Sequence, residues 1–549
     1  MRWPRGRGGY VAVMLMVSTI RCVIFYATWK TRWSWRVTLS PTSIFGQTTT
    51  TTAAGELSHA NNNDMNGHSN GNGHAKHTVY QLPPEMFSII KSAGQIAPRL
   101  GRLALPNKRI VATPHYLANT SRGVVPHITQ DTFARHTDIS AVYVALEDFI
   151  EKLPKATPPL YNFQPPNGES PLRRFIALPR DPLLVLGARR AAPVGAPDAT
   201  SNTNSAVAVC TSTGFRHLNA EHYAEEAERL RPDILVALGD IPYGKALGNR
   251  RIEKATDRNI KWLDNHIAIR NAMSKRPQTK LFASLLPVTC AKQQYFVDEV
   301  AGRIAEHISG LSIYSLDSLE DLPKDLEPLP RLGFTEPKTP QDILYQIRRG
   351  LDVLVIPFVG AATDAGIALD FEFGARTTSI TNGEDTTKPL PLGIDMWPAV
   401  HATDLSALTP GCTCYTCTNH HRAYIQHLLS AKEMLGWILL QIHNHRIMDL
   451  FFASIRNSIA NDTFEHDVEA FERKYESRLP AKTGQGPRVR GYQYKSEGPG
   501  EAKKNPNAFR VLDDGREKLK EAKEDMVPEM KTTKIDAEVL QEKGFAGRE

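Results

Sequence analysis

Thr339-Pro340-Gln341-Asp342-Ile343-Leu344-Tyr345-Gln346-Ile347-Arg348-Arg349-Gly350-Leu351-Asp352-Val353-Leu354-Val355-Ile356-Pro357-Phe358 is the stretch that decides the fold. Its first half places apolar residues at helical spacing. A threonine cap and a proline in the first turn open it, so the pattern predicts a helix over Pro340–Arg349. Its second half, Asp352–Phe358, is an almost unbroken apolar run and reads as a buried strand. The same unit recurs upstream. Ala206–Cys210, Ile234–Leu238, Leu281–Leu286 and Leu311–Leu316 read as buried strands, with amphipathic stretches at Ala220–Leu230, Asn259–Met273 and Gln293–Ile308 between them. Repeated strand–helix units of this length imply a parallel sheet. Adding Val142–Lys152 and Leu183–Leu186 brings the count close to the eight units of a closed (β/α)8, TIM-like barrel. An open doubly wound sheet is the alternative, but no Gly-x-Gly-x-x-Gly fingerprint supports a dinucleotide site.

Downstream, Cys412-Thr413-Cys414-Tyr415-Thr416-Cys417 gathers three of the six cysteines within six residues. Thiols two and three residues apart make poor disulfide partners for one another. Together with imidazoles further along, they suit a closed four-coordinate zinc site, which is structural because no position is left for water. The spacing leaves the fourth ligand open among His420, His421, His427, His443 and His445. A ligand too close to Cys417 would crowd the knuckle, whereas one presented from the far end of a packed helix would close the tetrahedron. Tyr424, Leu428, Leu435, Ile438 and Ile442 recur near helical spacing and predict such a helix, continuing through Met448–Tyr475.

The 549 residues allow two to four domains, and the net charge of +7 misleads until it is located. Seven basic residues (Arg2, Arg5, Arg7, Arg21, Lys30, Arg32 and Arg36) precede the first acidic one, Glu56. Setting them aside leaves 59 basic against 59 acidic. General basicity is therefore no argument for nucleic-acid binding, and any phosphate-binding surface must be a local patch. Tyr10–Trp29 is apolar but broken by Arg21, too short a run to span a bilayer comfortably. It reads as a targeting segment, secretory or mitochondrial, or as a dispensable extension. The organisation expected is an extension over 1–77, the barrel over 78–400, a zinc-binding subdomain with closing helices over 401–480, and a solvated tail over 481–549.

With these residues in view, the chain resembles the tRNA-guanine transglycosylase family, zinc-containing (β/α) barrels that exchange guanine for a deazaguanine in tRNA. The resemblance rests on Cys412, Cys414 and Cys417 followed by Arg422-Ala423-Tyr424-Ile425-Gln426-His427-Leu428, Leu435-Gly436 and His443-Asn444. Arg331-Leu332-Gly333, Pro340–Ile343, Gly350-Leu351-Asp352, and Pro232-Asp233-Ile234 leading to Asp240 extend it. It covers roughly residues 85–480 and implies that His443 is the fourth ligand of one zinc ion per chain.

The departures decide the function expected. The family's enzymes carry a nucleophilic aspartate in a Gly-hydrophobic-Asp-hydrophobic-Phe-Asp-Cys-Val segment. Counted from Gly350, that position is Val355, and valine cannot attack ribose. Asp352 falls on the other, non-nucleophilic aspartate. The Asp-Ser-Gly-Gly-Phe base segment is missing, and Gly310-Leu311-Ser312-Ile313-Tyr314 stands where pocket glycines belong, so bulkier side chains should intrude on a planar base. This combination resembles the non-catalytic second subunit of the eukaryotic queuine-inserting enzyme. It implies a heterodimer with a catalytic paralogue, tRNA reached through that complex, and a cytoplasmic protein; the basic, apolar start adds an expected peripheral membrane contact at the mitochondrial outer surface. Alternatives of other classes are an autonomous base-exchange enzyme using Asp352 or Asp364, and a queuine-binding or membrane-tethering adaptor. Asp240 is the candidate for residual base binding, or else a cap; Arg422 and Arg446 are candidates for a phosphate-facing patch, or else helix-end pairs.

Overall fold

The computed structural model describes residues 86–487 apart from 244–246, 274–278 and 375–387. The apolar segment Tyr10–Trp29 and the tail beyond residue 487 lie outside the described residues. Eight parallel strands close into a barrel: His115–Asn119 (β1), Ala141–Ala145 (β2), Leu183–Gly187 (β3), Ile234–Val236 (β4), Lys280–Ser284 (β5), Gly310–Ile313 (β6), Arg331–Gly333 (β7) and Val353–Ile356 (β8). Neighbours follow chain order, and β8 pairs back onto β1 in parallel from Val353↔His115 to Ile356↔Ala118.

Alternation along these strands builds two cores. Leu117, Tyr143, Val185, Val236, Phe282, Leu332 and Val355 fill the barrel. Val142, Leu184, Leu235, Leu281, Leu311 and Leu354 face outward and pack under the helices. Gly310 is required at its place because a Cβ there would meet the Phe282 ring at 2.5 Å. An antiparallel sheet of Phe87–Ser92, Arg99–Leu103 and Val111–Thr113 closes the end of the barrel where the strands begin, with Phe87, Leu103 and Val111 joining the interior cluster. Arg99 ties this lid to the wall through a two-contact ion pair with Asp352, its Nε donating to Oδ1 at 3.1 Å.

The Thr339-Pro340 entry behaves as its sequence predicts. Thr339 Oγ1 accepts from the Asp342 amide at 3.2 Å while the Asp342 carboxylate accepts from the Thr339 amide at 3.0 Å, and the helix Pro340–Arg348 follows. Ala206–Cys210 departs from expectation. It is buried, but it pairs antiparallel with Gly214–Asn219 across a two-residue turn and stands outside the barrel. Its all-apolar run mimics a parallel strand, while the Thr211-Ser212-Thr213-Gly214 turn makes it a hairpin. The barrel places are taken instead by β1 and the three-residue β7. The helix predicted across Tyr424–Ile442 is two helices, Arg422–Ser430 and Met434–Ala460, separated where Lys432 adopts a left-handed φ of 57°. Among the described residues no helix is long and apolar enough to cross a membrane.

Candidate metal centre and the closed barrel mouth

Cys412, Cys414, Cys417 and His443 bring their ligand atoms to within 4.8 Å of one another. The His443 Nδ1 lies 3.8 Å from the Cys412 sulfur, 3.7 Å from Cys414 and 3.4 Å from Cys417. Two elements set this up. Cys414 caps the short helix Tyr415–Asn419, its sulfur accepting from the Cys417 amide at 3.3 Å, so the cap holds two of the sulfurs together. Thr416 then donates to the Leu439 carbonyl at 2.7 Å and pins the knuckle to the long helix Met434–Ala460, one turn before His443.

The imidazole is oriented from behind. His443 Nε2 donates to the Leu369 carbonyl at 2.9 Å; a carbonyl can only accept, so Nε2 carries the proton and Nδ1 presents its lone pair to the sulfurs. Asn444, next on the helix and also wholly buried, accepts from the Leu369 amide at 2.8 Å and donates to the Ile367 carbonyl and Thr363 Oγ1. Leu369 is thus gripped at both its amide and its carbonyl. Hydrogen bonds with Cys414 and Cys417 pull the Cys412 thiol far down, while those with Cys412 and Cys417 push Cys414 far up. Three thiolates cannot occupy this space without a cation, so the four donors could hold a metal ion.

The other candidate histidines lie away from the cluster, most of them with partners of their own. His445 stacks on Tyr116 of β1 and meets its hydroxyl at 3.2 Å. His421 caps the helix Arg422–Ser430, His420 stacks on Tyr424, and His427 is exposed. Sequence reasoning had no route to the Leu369 carbonyl; an asparagine beside the ligand on an otherwise apolar helix was the available signal.

At the end of the barrel where the strands finish, aromatic side chains occupy the mouth. Tyr314, just past β6, stacks on Phe334, just past β7, with centroids 5.2 Å apart; Tyr143 meets Phe334 edge-on at 5.1 Å. Tyr243 packs against Tyr314, and the Arg189 guanidinium lies 5.1 Å above the Tyr243 ring, anchored to the Ala208 carbonyl. Of the segment expected to intrude on a base, Tyr314 reaches the mouth, while Leu311 and Ile313 face the helices. Val355 is wholly buried in the interior beside Leu117.

Asp240 is fully engaged. Oδ1 accepts from Asn202 and Arg251, both at 2.6 Å, and Oδ2 from Arg251 and Arg258, both at 2.8 Å, which fills the four lone-pair positions of a carboxylate. Burial pushes its pKa up, but the bonds from Arg251, Asn202 and Arg258 outweigh that and hold it below the usual range. Asp352 sits at the opposite end of the barrel, bonded to Arg99 and the Arg331 amide. Asp364 lies on the helix Phe358–Ala365 outside the wall, 2.6 Å from His127 Nε2. The two carboxylates considered as alternative nucleophiles are therefore committed to structural partners. Arg422, at the start of its helix, pairs with Asp404 and donates to two carbonyls, and Arg446, midway along Met434–Ala460, pairs with Asp138 at 2.9 Å.

Fold and donor set define a (β/α)8 barrel with a Cys3His cluster, able to hold a metal ion, locked to its outer helices. The chain belongs to the queuine tRNA-ribosyltransferase family, whose family model matches residues 95–477. It is 35% identical over 401 residues to a Schizosaccharomyces pombe protein named queuine tRNA-ribosyltransferase accessory subunit 2, covering 72% of this chain and 85% of that protein. Proteins of the same name from Ixodes scapularis, 28% identical over 67% of this chain and 96% of theirs, and Drosophila melanogaster, 27% identical over 70% and 90%, are further relatives.

Proposed function

We propose that this chain is the non-catalytic subunit of a heterodimeric queuine tRNA-ribosyltransferase, pairing with a catalytic paralogue that exchanges guanine for queuine at the wobble position of tRNAs with GUN anticodons. The observation that carries the reading is Val355, apolar and enclosed within the barrel, where the resemblance expects an attacking carboxylate. The stacked rings at the mouth support it, because a planar base needs the space they fill. The relatives' shared name supports it from a separate direction. Asp240 fits the same reading as the anchor of the helix Asn249–Met273, with no lone pair spare for a base.

The ion proposed for the knuckle is Zn2+, one per chain. A tetrahedron with Zn–S of about 2.3 Å and Zn–N of about 2.05 Å has S···N edges of about 3.6 Å, and the three found run from 3.4 to 3.8 Å. With all four places filled by protein, the ion would hold residues 401–480 together as one subdomain and carry no reaction step. Contact with the outer mitochondrial surface rests on the basic, apolar start of the sequence, and deletion of residues 1–54 followed by fractionation tests it.

The central test is incorporation of labelled queuine or guanine into tRNA by the purified chain, alone and with its paralogue. Exchange is expected in the mixture and not with the chain alone. Exchange by the isolated chain, or a denaturation-resistant RNA adduct on it, would overturn the reading.

A further inference from the structure

A wide groove lies at the opposite end of the barrel from the mouth, where β3, β4 and β5 begin. It encloses about 790 Å³. Six cations line it (Lys108, Arg173, Arg174, Arg180, Arg231 and Lys280) against two carboxylates, Glu169 and Asp233. The chain beyond its first residues is neutral overall, so a concentration of this kind is local rather than a reflection of general basicity.

The carboxylates do not balance the cations. Asp233 is taken by Arg173 at 2.5 Å, Lys108 at 3.3 Å and the Leu184 amide at 2.8 Å. Glu169 meets Arg180 at 2.5 Å. Among the described residues Arg231 reaches only carbonyls, those of Gly168 and Glu169. Arg174 is exposed and Lys280 half-buried, and neither side chain has a hydrogen bond or ion pair among the described residues. Burial, reinforced by Arg270 nearby, lowers the Lys280 ammonium, and burial does the same to Lys108 despite Asp233. Half-buried cations short of acidic partners are a standing electrostatic cost that an incoming anion would relieve.

We propose that this groove binds the phosphate backbone of tRNA. Its lining decides against a small uncharged ligand, because such sites are mostly apolar with only a few polar groups, whereas this groove presents six cations. A concave channel also suits a strand better than the flat face of a bilayer. Naming RNA among polyanions rests on the role proposed above, whereas the anion site rests on the groove alone. Phosphate contacts position a nucleic acid without reading its sequence, which fits a subunit whose mouth is closed.

The test compares the full-length chain with Arg174→Gln/Lys280→Gln, two changes that break no described pair. Binding of a tRNA transcript is measured by anisotropy from 0.05 to 1 M salt, with zinc content and melting midpoint as checks on folding. Losing two phosphate contacts should reduce the slope of log K on log salt by about 1.5, or about 30-fold in affinity at 0.1 M taken against 1 M. Arg174→Lys/Lys280→Arg should bind as the parent does. Should the double variant not fold, exposed Arg174→Gln alone should remove about half of that slope. An unchanged slope and affinity would overturn the proposal. So would loss of binding to phosphatidylserine vesicles with tRNA binding intact. Pairing with the catalytic paralogue is read separately by sizing, so failure of the groove and failure of the accessory-subunit reading give different results.

Discussion

Replacing Asn444 by alanine should loosen the metal centre without touching a ligand. Asn444 is wholly buried and makes three hydrogen bonds, accepting from the Leu369 amide at 2.8 Å and donating to the Ile367 carbonyl at 3.0 Å and Thr363 Oγ1 at 2.9 Å. Alanine leaves two buried backbone groups, the Leu369 N–H and the Ile367 C=O, without partners. Each orphaned group costs about 1–3 kcal/mol, so the loss of stability should be about 2–6 kcal/mol. The consequence reaches the metal because the same Leu369 supplies the carbonyl that fixes the His443 ring at 2.9 Å. Removing such an outer support lowers metal affinity by about 10–100-fold. Chelator competition for zinc and denaturant unfolding on one preparation measure both effects. A variant with parental zinc affinity and an unchanged unfolding midpoint would refute the reasoning, since the strand Ile367–Leu369 would then be held by something other than Asn444.

Cys414→Ala removes one donor of four and the cap of Tyr415–Asn419. Zinc per chain should fall towards zero by atomic absorption, and amide exchange should quicken around Met396, Leu408 and Ile425, which pack on the knuckle's side of the long helix. Asp240→Asn strips the charge between Arg251 and Arg258 and should cost about 3–5 kcal/mol of unfolding free energy, as breaking a buried pair does; a stable variant that instead loses queuine binding would restore the base-binding role. Acid should weaken the fold partly through His115. Burial, with Arg456 adding to it, lowers this imidazole to about 3. The unfolded chain binds the proton near pH 6.5 and the folded one only near 3, so stability is full above 6.5 and drains away between the two. At pH 5 the term is about 2 kcal/mol, and His115→Gln should flatten the unfolding midpoint between pH 7.5 and 5 relative to the parent.

Much of this molecule is legible in the chain because it depends on local pattern. Thr339-Pro340 marks a helix start wherever it stands in the fold, since a cap and a fixed φ act within one turn. Cys412, Cys414 and Cys417 mark by spacing alone a cluster that could hold a metal, and the apolar run Val353–Ile356 declares a buried strand by having no polar face. The three-residue β7 is too short to show a period. Ser430-Ala431-Lys432-Glu433 breaks a helix without glycine or proline, because Lys432 takes the left-handed turn itself. What only the tertiary structure decides is partnership. Five histidines share similar sequence surroundings, and His443 is singled out by a carbonyl 74 residues away. Asp240 reads as a ligand-facing carboxylate until Arg251 and Arg258 close over it. The basic groove is assembled from the approaches to three different strands, so no window of sequence contains it. Hydrogen bonds and charges act over a few ångströms of space, and only the folded chain fixes which residues are that close.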